Sequence, residues 1–245
     1  MIRRVIRIPR TRFRETLGQR TIRDRGQVAD LLGCALRKHG CNPATDGPAR
    51  WAFGVIARSL AAQGTGRYFA IEAIHLGSSE PSIARAIAAL RPEDLVLDKA
   101  LPGWELDLRC AEIHDHPDPP HSVEALSCYC ISPIRVTRML GRNRQEDITT
   151  LTDDFGEQVN RTMGHRFGRS FHLKLLPDRI YVRSRGGEVS AGFAIKTRPN
   201  GTVVVKRGIA LPFTLVGPTE DVRDAWYSGL GRTTALGFGM LGMPS

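Results

Sequence analysis

The chain has 245 residues, of which 41% are hydrophobic, so it is long enough to bury a core in one large domain or two smaller ones. No segment approaches the ~18 consecutive apolar residues of a membrane span, and the first residues lack the apolar run of a signal peptide. We therefore expect a cytoplasmic protein with no membrane partner.

The formal net charge is +10, and it is unevenly distributed. Residues 1–25 carry nine arginines against Glu15 and Asp24, whereas residues 81–127 carry nine Asp or Glu against four Arg or Lys. Because the guanidinium fork binds phosphates and stacks on bases, a polyanion is the expected partner. The five cysteines form no Cys-x-x-Cys pair, so the sequence predicts neither a disulfide framework nor a zinc site.

The first half predicts a ferredoxin-like unit over residues 1–115. Its apolar periodicity gives, in order, a strand at Val5–Ile8, a helix at Gln27–His39, strands at Trp51–Ala57 and Tyr68–His75, a helix at Glu80–Leu90 and a strand at Trp104–Ala111. This β-α-β-β-α-β order is the ferredoxin-like plan. Alternation at Arg10, Arg12 and Arg14 predicts an extended segment with three guanidiniums on one face, suited to a nucleic-acid backbone.

The proline-rich segment from His114 to His121 predicts a linker. Its three histidines and two aspartates are also residue types that bind metals, which is the alternative interpretation. Since no rigid spacing such as a helical His-x-x-x-His is present, we expect no metal and no cofactor.

The second half, residues 124–245, begins with a strand-like segment, Ala125–Val136. Apolar residues then recur every three or four positions from Ile148 to Phe167 and predict helix, with breaks at the three glycines of this region, Gly156, Gly164 and Gly168. We expect a helical insertion over about 140–172. It either grips a duplex backbone or covers the core, and it carries many arginines: Arg138, Arg142, Arg144, Arg161, Arg166 and Arg169.

Further strands are predicted at Arg179–Arg183, Gly192–Lys196 and Thr202–Lys206, followed by a helix from Pro218 and a closing strand at Leu236–Leu241. The fold class is therefore α+β, with two ferredoxin-like (RRM-like) units in tandem. Before the end of the chain lies a glycine-rich loop, residues 229–239. Glycines let a backbone approach a phosphate closely, so this loop predicts phosphate contact through Arg232 and four glycines: Gly229, Gly231, Gly237 and Gly239.

The C-terminal Gly229-Leu230-Gly231-Arg232 and Leu236-Gly237-Phe238-Gly239-Met240 resemble the glycine-rich loop of the CRISPR repeat-processing endoribonucleases of the RAMP superfamily. Ser132–Val136 is similar to the same family, as are the length and the two-unit plan. The arginine-rich insertion resembles the type IV variant, whose members process hairpin repeats and stay bound to the mature guide.

This resemblance implies an endoribonuclease that binds the hairpin of CRISPR repeat RNA and cleaves precursor crRNA without a metal. The 2′-hydroxyl attacks the adjacent phosphate and leaves a 2′,3′-cyclic phosphate and a 5′-hydroxyl. Such a reaction needs a base, a cation at the phosphorane and a proton for the leaving oxygen. The family often places a histidine near the end of the first helix, and His39 matches that place, beside Lys38.

Alternatives remain at the level of sequence. His39 has the chemistry of a general base, but a histidine at that position also simply caps a helix. Arg23 and Arg232 are the other candidates for holding the 2′-hydroxyl and the phosphate. A non-catalytic crRNA-binding subunit is the alternative function, with other subunits of a CRISPR effector complex as further partners.

Overall fold

The computed structural model describes residues 1–43, 49–60, 68–98, 105–120, 122–139, 145–198 and 200–244. The two main sheets are a five-stranded and a four-stranded antiparallel sheet, each with helices packed on it. Each sheet covers its own cluster of buried apolar side chains. Within the described ranges, no helix is both long enough and apolar enough to cross a bilayer.

The first unit consists of β1 (Ile2–Arg7), β2 (Thr21–Ile22), α1 (Arg25–Lys38), β3 (Trp51–Ser59), β4 (Phe69–Ser78), α2 (Pro81–Ala89), β5 (Val96–Leu97), β6 (Leu106–Asp107) and β7 (Glu112–Asp115). The main sheet has the order β7-β1-β4-β3, and the short β2 also pairs with β4. Without the short strands β2, β5 and β6, the four strands of the ferredoxin-like plan are β1, β3, β4 and β7 in chain order. The last, β7, pairs with the first, β1, and β4 lies between β1 and β3. The predicted β-α-β-β-α-β order is confirmed, but the fourth strand is misplaced in the prediction: it is β7, which lies partly in the predicted linker, whereas the segment Trp104–Ala111 contains β6, which pairs with β5.

The second unit consists of β8 (Ala125–Cys130), β9 (Thr137–Met139), β10 (Gln145–Asp147), α3 (Phe155–Phe167), β11 (Lys174–Pro177), α4 (Arg179–Ser184), β12 (Ser190–Thr197), β13 (Val203–Ile209), β14 (Phe213–Val216), α5 (Thr219–Ser228) and β15 (Leu241–Gly242). The sheet β15-β8-β14-β11 repeats the strand order of the first unit. The helix expected as an insertion, α3, therefore stands where the first crossover helix of a ferredoxin-like unit belongs. The segments added to the plan are the hairpin β9–β10 and the stretch from α4 to β13.

Helix α1 begins and ends at recognisable side chains. Asp24 is its N-cap and accepts a hydrogen bond from the backbone N–H of Gln27 at 3.3 Å. Gln27 in turn accepts one from the N–H of Arg23 at 2.7 Å, so two backbone donors at the start of the helix are satisfied. The C-cap is His39, after the two cations of the last turn. The sequence pattern located this helix almost to the residue.

Several predicted details are wrong, each for a local reason. Arg179–Arg183 is helical rather than extended, because the Asp178 carboxylate accepts the N–H groups of Ile180 and Tyr181 and so starts a helix. Gly156 and Gly164 lie inside α3 instead of breaking it, and only Gly168, in the left-handed conformation, ends it. The closing strand is only β15, since residues 234–236 form a 3-10 turn.

The segment with Arg10, Arg12 and Arg14 is also not extended. Residues 10–12 form a 3-10 turn and residues 13–20 continue as turns, so the alternation places no three guanidiniums on one face. Backbone bonds from Arg12 N–H to Pro9 O and from Phe13 N–H to Arg10 O form the turn, and the Glu15 carboxylate binds Arg12 at 2.9 Å on its surface.

A buried cation joins the two units. The Arg3 guanidinium lies 3.8 Å from the centre of the Trp226 ring and donates to the carbonyl oxygens of Trp226 and Leu241. The His116 ring packs on the same tryptophan, and His75 packs on His116. Burial, and then the charge of Arg3, lowers the pKa of His75 to about 3. Burial also lowers the pKa of His116. At neutral pH both histidines are therefore neutral beside a charged arginine.

Candidate nucleic-acid interface

The glycine-rich loop, residues 229–239, is packed into the interior between α5 and β15. Gly237 has φ +88° and faces the Phe53 ring of the first unit, where a Cβ would lie 2.9 Å from the ring. Gly239 has φ +72°, and a Cβ there would overlap the carbonyl oxygen of Leu230. Both positions therefore require glycine twice over, for the left-handed backbone and for the close approach. All four glycines of the loop are buried.

The loop pairs with residues 132–136, the other stretch that resembles the RAMP endoribonucleases. Backbone donors of the loop and of the residue after it bind that stretch: Arg232 N–H to Arg135 O at 2.7 Å, Gly239 N–H to Pro133 O at 2.8 Å and Met240 N–H to Ser132 Oγ at 2.9 Å. Arg135 also donates to Thr233 Oγ1 and forms an ion pair with Asp147. These loop amides are already bonded within the protein, so they do not form an open cradle for a phosphate.

Arg166, on α3, holds the loop from inside. It is 6% exposed, and all five of its N–H groups are directed at protein oxygens: Ala49 O, Gly229 O, Gly231 O, Ser228 O and Thr234 Oγ1, at 2.7–3.2 Å. Burial lowers the pKa of Arg166 to about 9, and the charge of the nearby Asp224 carboxylate acts in the opposite direction by favouring the charged guanidinium. The side chain predicted to contact RNA is thus committed to the interior, and this guanidinium has no N–H left for a phosphate.

Arg232 lies at the surface end of the loop. Its Nη1 donates to Thr137 Oγ1 at 2.7 Å and to Gln145 Oε1 at 3.0 Å, on the two strands of the hairpin β9–β10. Arg142 and Arg144, also predicted to contact RNA, lie between those strands and outside the described residues. Arg232 is therefore half-buried at the base of the hairpin.

The remaining predicted RNA-binding arginines separate into two groups. Three are bound to carboxylates: Arg12 to Glu15, Arg138 to Glu146 at 3.1 Å, and Arg169 to Asp221 and Asp224. Three others are exposed and make no ion pair with the described residues: Arg10, Arg14 and Arg161. The second group is the one whose guanidinium is not already bound by a protein carboxylate and is therefore more available to an outside anion.

Sequence reasoning missed a second set of exposed cations. Among the described residues these make no ion pair, and they follow one another along α4, β12 and β13: Arg179, Arg183, Lys196, Arg198 and Arg207. We call them the α4–hairpin cations. The signal was present, since Asp178 followed by arginines four positions apart is the pattern of a capped helix with one basic face.

His39 and Asp94 form the most defined pair of titratable groups outside the interior. His39 Nε2 lies 2.7 Å from Asp94 Oδ2, and the imidazole is 23% exposed. Burial tends to raise the pKa of Asp94, but the hydrogen bonds from His39 and the Arg91 N–H, with the charges of His39 and Lys38, bring it below its usual value. Lys38 Nζ is 3.8 Å from the same carboxylate. An ionised carboxylate only accepts, so Nε2 carries the proton.

Arg23 lies far from this pair. It precedes the N-terminus of α1 and His39 follows the C-terminus, so the 14-residue helix separates them by about 21 Å. The Arg23 guanidinium lies over the Tyr68 ring at 5.3 Å, beside an open groove of about 420 Å³. The structure thus brings together His39 and Lys38 of the predicted catalytic residues, and it places Arg23 elsewhere. In the described ranges, no group of three metal-ligating side chains is placed to hold an ion.

Comparison with protein families gives a match over residues 116–243, slightly more than half of the chain. The matching family model is that of the C-terminal region of the CRISPR-associated protein Cas6. The matched region contains the 132–136 stretch, Arg166 and the glycine-rich loop. A comparison with curated protein sequences finds no match.

Solved structures with the same fold cover the whole chain at low sequence identity. One is a RAMP protein described as binding different RNA substrates, with a TM-score of 0.64, 16% identity and full coverage of both chains. Another is a Cas6-related protein from Pyrococcus furiosus, with a TM-score of 0.62, 14% identity, and coverage of 100% of this chain and 98% of that one. A third is the CRISPR endoribonuclease Cse3 bound to a 19-nucleotide RNA, with a TM-score of 0.50, 13% identity, and coverage of 99% and 98%.

The Arg166 contacts predict a specific stability change. Arg166→Lys keeps the charge but removes the planar fork, which leaves buried carbonyl oxygens without donors, so we expect the free energy of unfolding to fall by about 2–4 kcal/mol. Urea denaturation measures it. The matched control is Arg161→Lys, an exposed position on the same helix, where we expect a change within about 0.5 kcal/mol. Equal values for the two variants would contradict the role given to Arg166.

Proposed function

The chain belongs to the Cas6 family of CRISPR-associated proteins, and we propose that it is an endoribonuclease that binds CRISPR repeat RNA and cleaves the precursor into guide RNAs. The observation that carries this proposal is the family match over residues 116–243. Within this region, residues 132–136 and the glycine-rich loop are hydrogen-bonded to each other. The basic composition and the exposed cations on both units support an RNA ligand.

We propose that His39 is the general base and that Lys38 is the cation beside the phosphate. The 2′-oxygen forms a bond to phosphorus while the bond to the 5′-oxygen breaks. His39 takes the 2′-hydroxyl proton, and the leaving 5′-oxygen takes one from water. The products are a 2′,3′-cyclic phosphate and a 5′-hydroxyl, and no metal is needed to balance the step. The neighbouring Lys38 ammonium, 49% exposed, favours the charge that develops on the phosphorane.

We propose that the repeat RNA is held by exposed cations and not by the glycines. The side chains of Arg10, Arg14 and Arg161, together with those of the α4–hairpin cations, are available to phosphate oxygens, because none of them forms an ion pair with a carboxylate of the described residues. A double-stranded RNA stem is recognised mainly through its backbone and shape, and such cations suit that mode of binding. Retention of the cleaved guide follows if these cations lie on the product side of the cut.

The proposal predicts that the wild-type protein cuts labelled repeat RNA at one position in the presence of EDTA. His39→Ala removes the base, so we expect cleavage to fall by about 100-fold or more while the affinity for RNA changes little. The matched control is His114→Ala, an exposed histidine on β7, which should cut like the wild type. If the wild-type protein binds the RNA and leaves it intact, the proposed nuclease activity is wrong and a non-catalytic RNA-binding subunit is favoured.

The cation surface predicts a change in the salt dependence of binding. Replacing Arg179 and Arg183 by alanine should weaken stem RNA binding and lower the slope of log affinity against log salt by about two, roughly one for each phosphate that an arginine no longer neutralises. Filter binding across a salt series measures the slope. Arg138→Ala is the comparison, since Glu146 already binds that guanidinium, and we expect a smaller change there. A larger change in the salt slope for Arg138→Ala than for the double variant would contradict the assignment of Arg179 and Arg183 as phosphate contacts.

A further inference from the structure

A carboxylate outside the predicted catalytic set contacts His39. Asp94 ends the 3-10 turn Pro92–Asp94, which packs on the C-terminal end of α1, and its Oδ2 lies 2.7 Å from His39 Nε2. The same oxygen accepts the Arg91 backbone N–H at 3.0 Å. The carboxylate is therefore fixed from two sides, by its own turn and by the helix end.

This arrangement fixes which imidazole nitrogen is available. Since Asp94 is an acceptor, Nε2 carries the proton and Nδ1 keeps its lone pair. Nδ1 makes no hydrogen bond with the described residues, and the side chain is partly exposed. Arg91 and Glu93 of the turn are exposed, and two further charged groups at this end of the helix belong to α1 itself. They are Lys38, which also approaches Asp94, and Arg37, whose guanidinium contacts the Cys34 sulfur.

We propose that Asp94 is a positioning residue for the cleavage reaction: it holds His39 in the tautomer whose Nδ1 accepts the 2′-hydroxyl proton, and it stabilises the imidazolium that results. This inference rests on the proposed function, because it gives His39 a reaction to serve. Asp94 itself does not touch the RNA. A carboxylate that binds one ring nitrogen orients the ring, and it favours the charged form that results when the other nitrogen takes a proton.

The test compares Asp94→Asn, Asp94→Glu and Glu93→Gln by single-turnover cleavage of labelled repeat RNA across pH. Asparagine can donate as well as accept a hydrogen bond, so it no longer fixes the proton on Nε2. The plateau rate falls by about 10- to 100-fold, while affinity for RNA is unchanged. Glutamate restores part of the rate. Glu93→Gln, a neighbour in the same turn, keeps the wild-type profile.

A second readout does not need activity. Nitrogen NMR of the RNA-free protein should show the Nε2-protonated tautomer of His39 in the wild type and a mixture of tautomers in Asp94→Asn. An Asp94→Asn variant that cleaves like the wild type, or a wild-type ring protonated at Nδ1, would overturn the role of Asp94. Wild-type protein that shows the expected tautomer but leaves bound RNA intact would instead overturn the proposed nuclease.

Discussion

The Arg166 guanidinium joins the two units from the interior, as Arg3 does at the Trp226 ring. Its N–H groups bind the backbone of the glycine-rich loop on one side and Ala49, next to the first strand of the hairpin β3–β4, on the other. A buried arginine is favourable only when its donors are satisfied, so the loop must present its carbonyl oxygens inward. The glycines make that geometry possible, because several of them adopt left-handed backbone angles next to another backbone.

This constraint changes the interpretation of the glycine signature. Glycines near an arginine suggested a phosphate cradle, whereas here the Gly239 amide is bonded to Pro133, and the carbonyl oxygens of Gly229 and Gly231 are bonded to Arg166. The glycine-rich loop therefore has a structural role in packing the two units, and contact with an RNA backbone is left to exposed side chains. Conversely, a surface that looks basic in sequence is not uniformly available, since carboxylates bind Arg12, Arg138 and Arg169.

The order of the elements could be predicted because burial imposes a clear period on α1, β3, β4 and α2. The errors have physical causes that lie beyond that period. At Arg179–Arg183 a single capping carboxylate, Asp178, overrides a strand-like composition. Arg166 has the same sequence signal as an exposed arginine, and only packing separates the two. The His39–Asp94 pair joins residues 55 positions apart, a contact that no local pattern contains. Of the α4–hairpin cations, Arg179 and Arg183 could have been predicted, because they follow the helix-capping Asp178 at positions that lie on one helical face.

The most direct measurement of the central claim uses a repeat RNA with a single 2′-deoxy substitution next to the scissile phosphate. If the RNA supplies its own nucleophile and the protein supplies the base, this RNA will bind with the affinity of the unmodified repeat and remain uncut in EDTA. The unmodified repeat, under the same conditions, will yield fragments with a 2′,3′-cyclic phosphate and a 5′-hydroxyl. Cleavage of the deoxy RNA at the same position would contradict the account, because water or another nucleophile would then attack the phosphate.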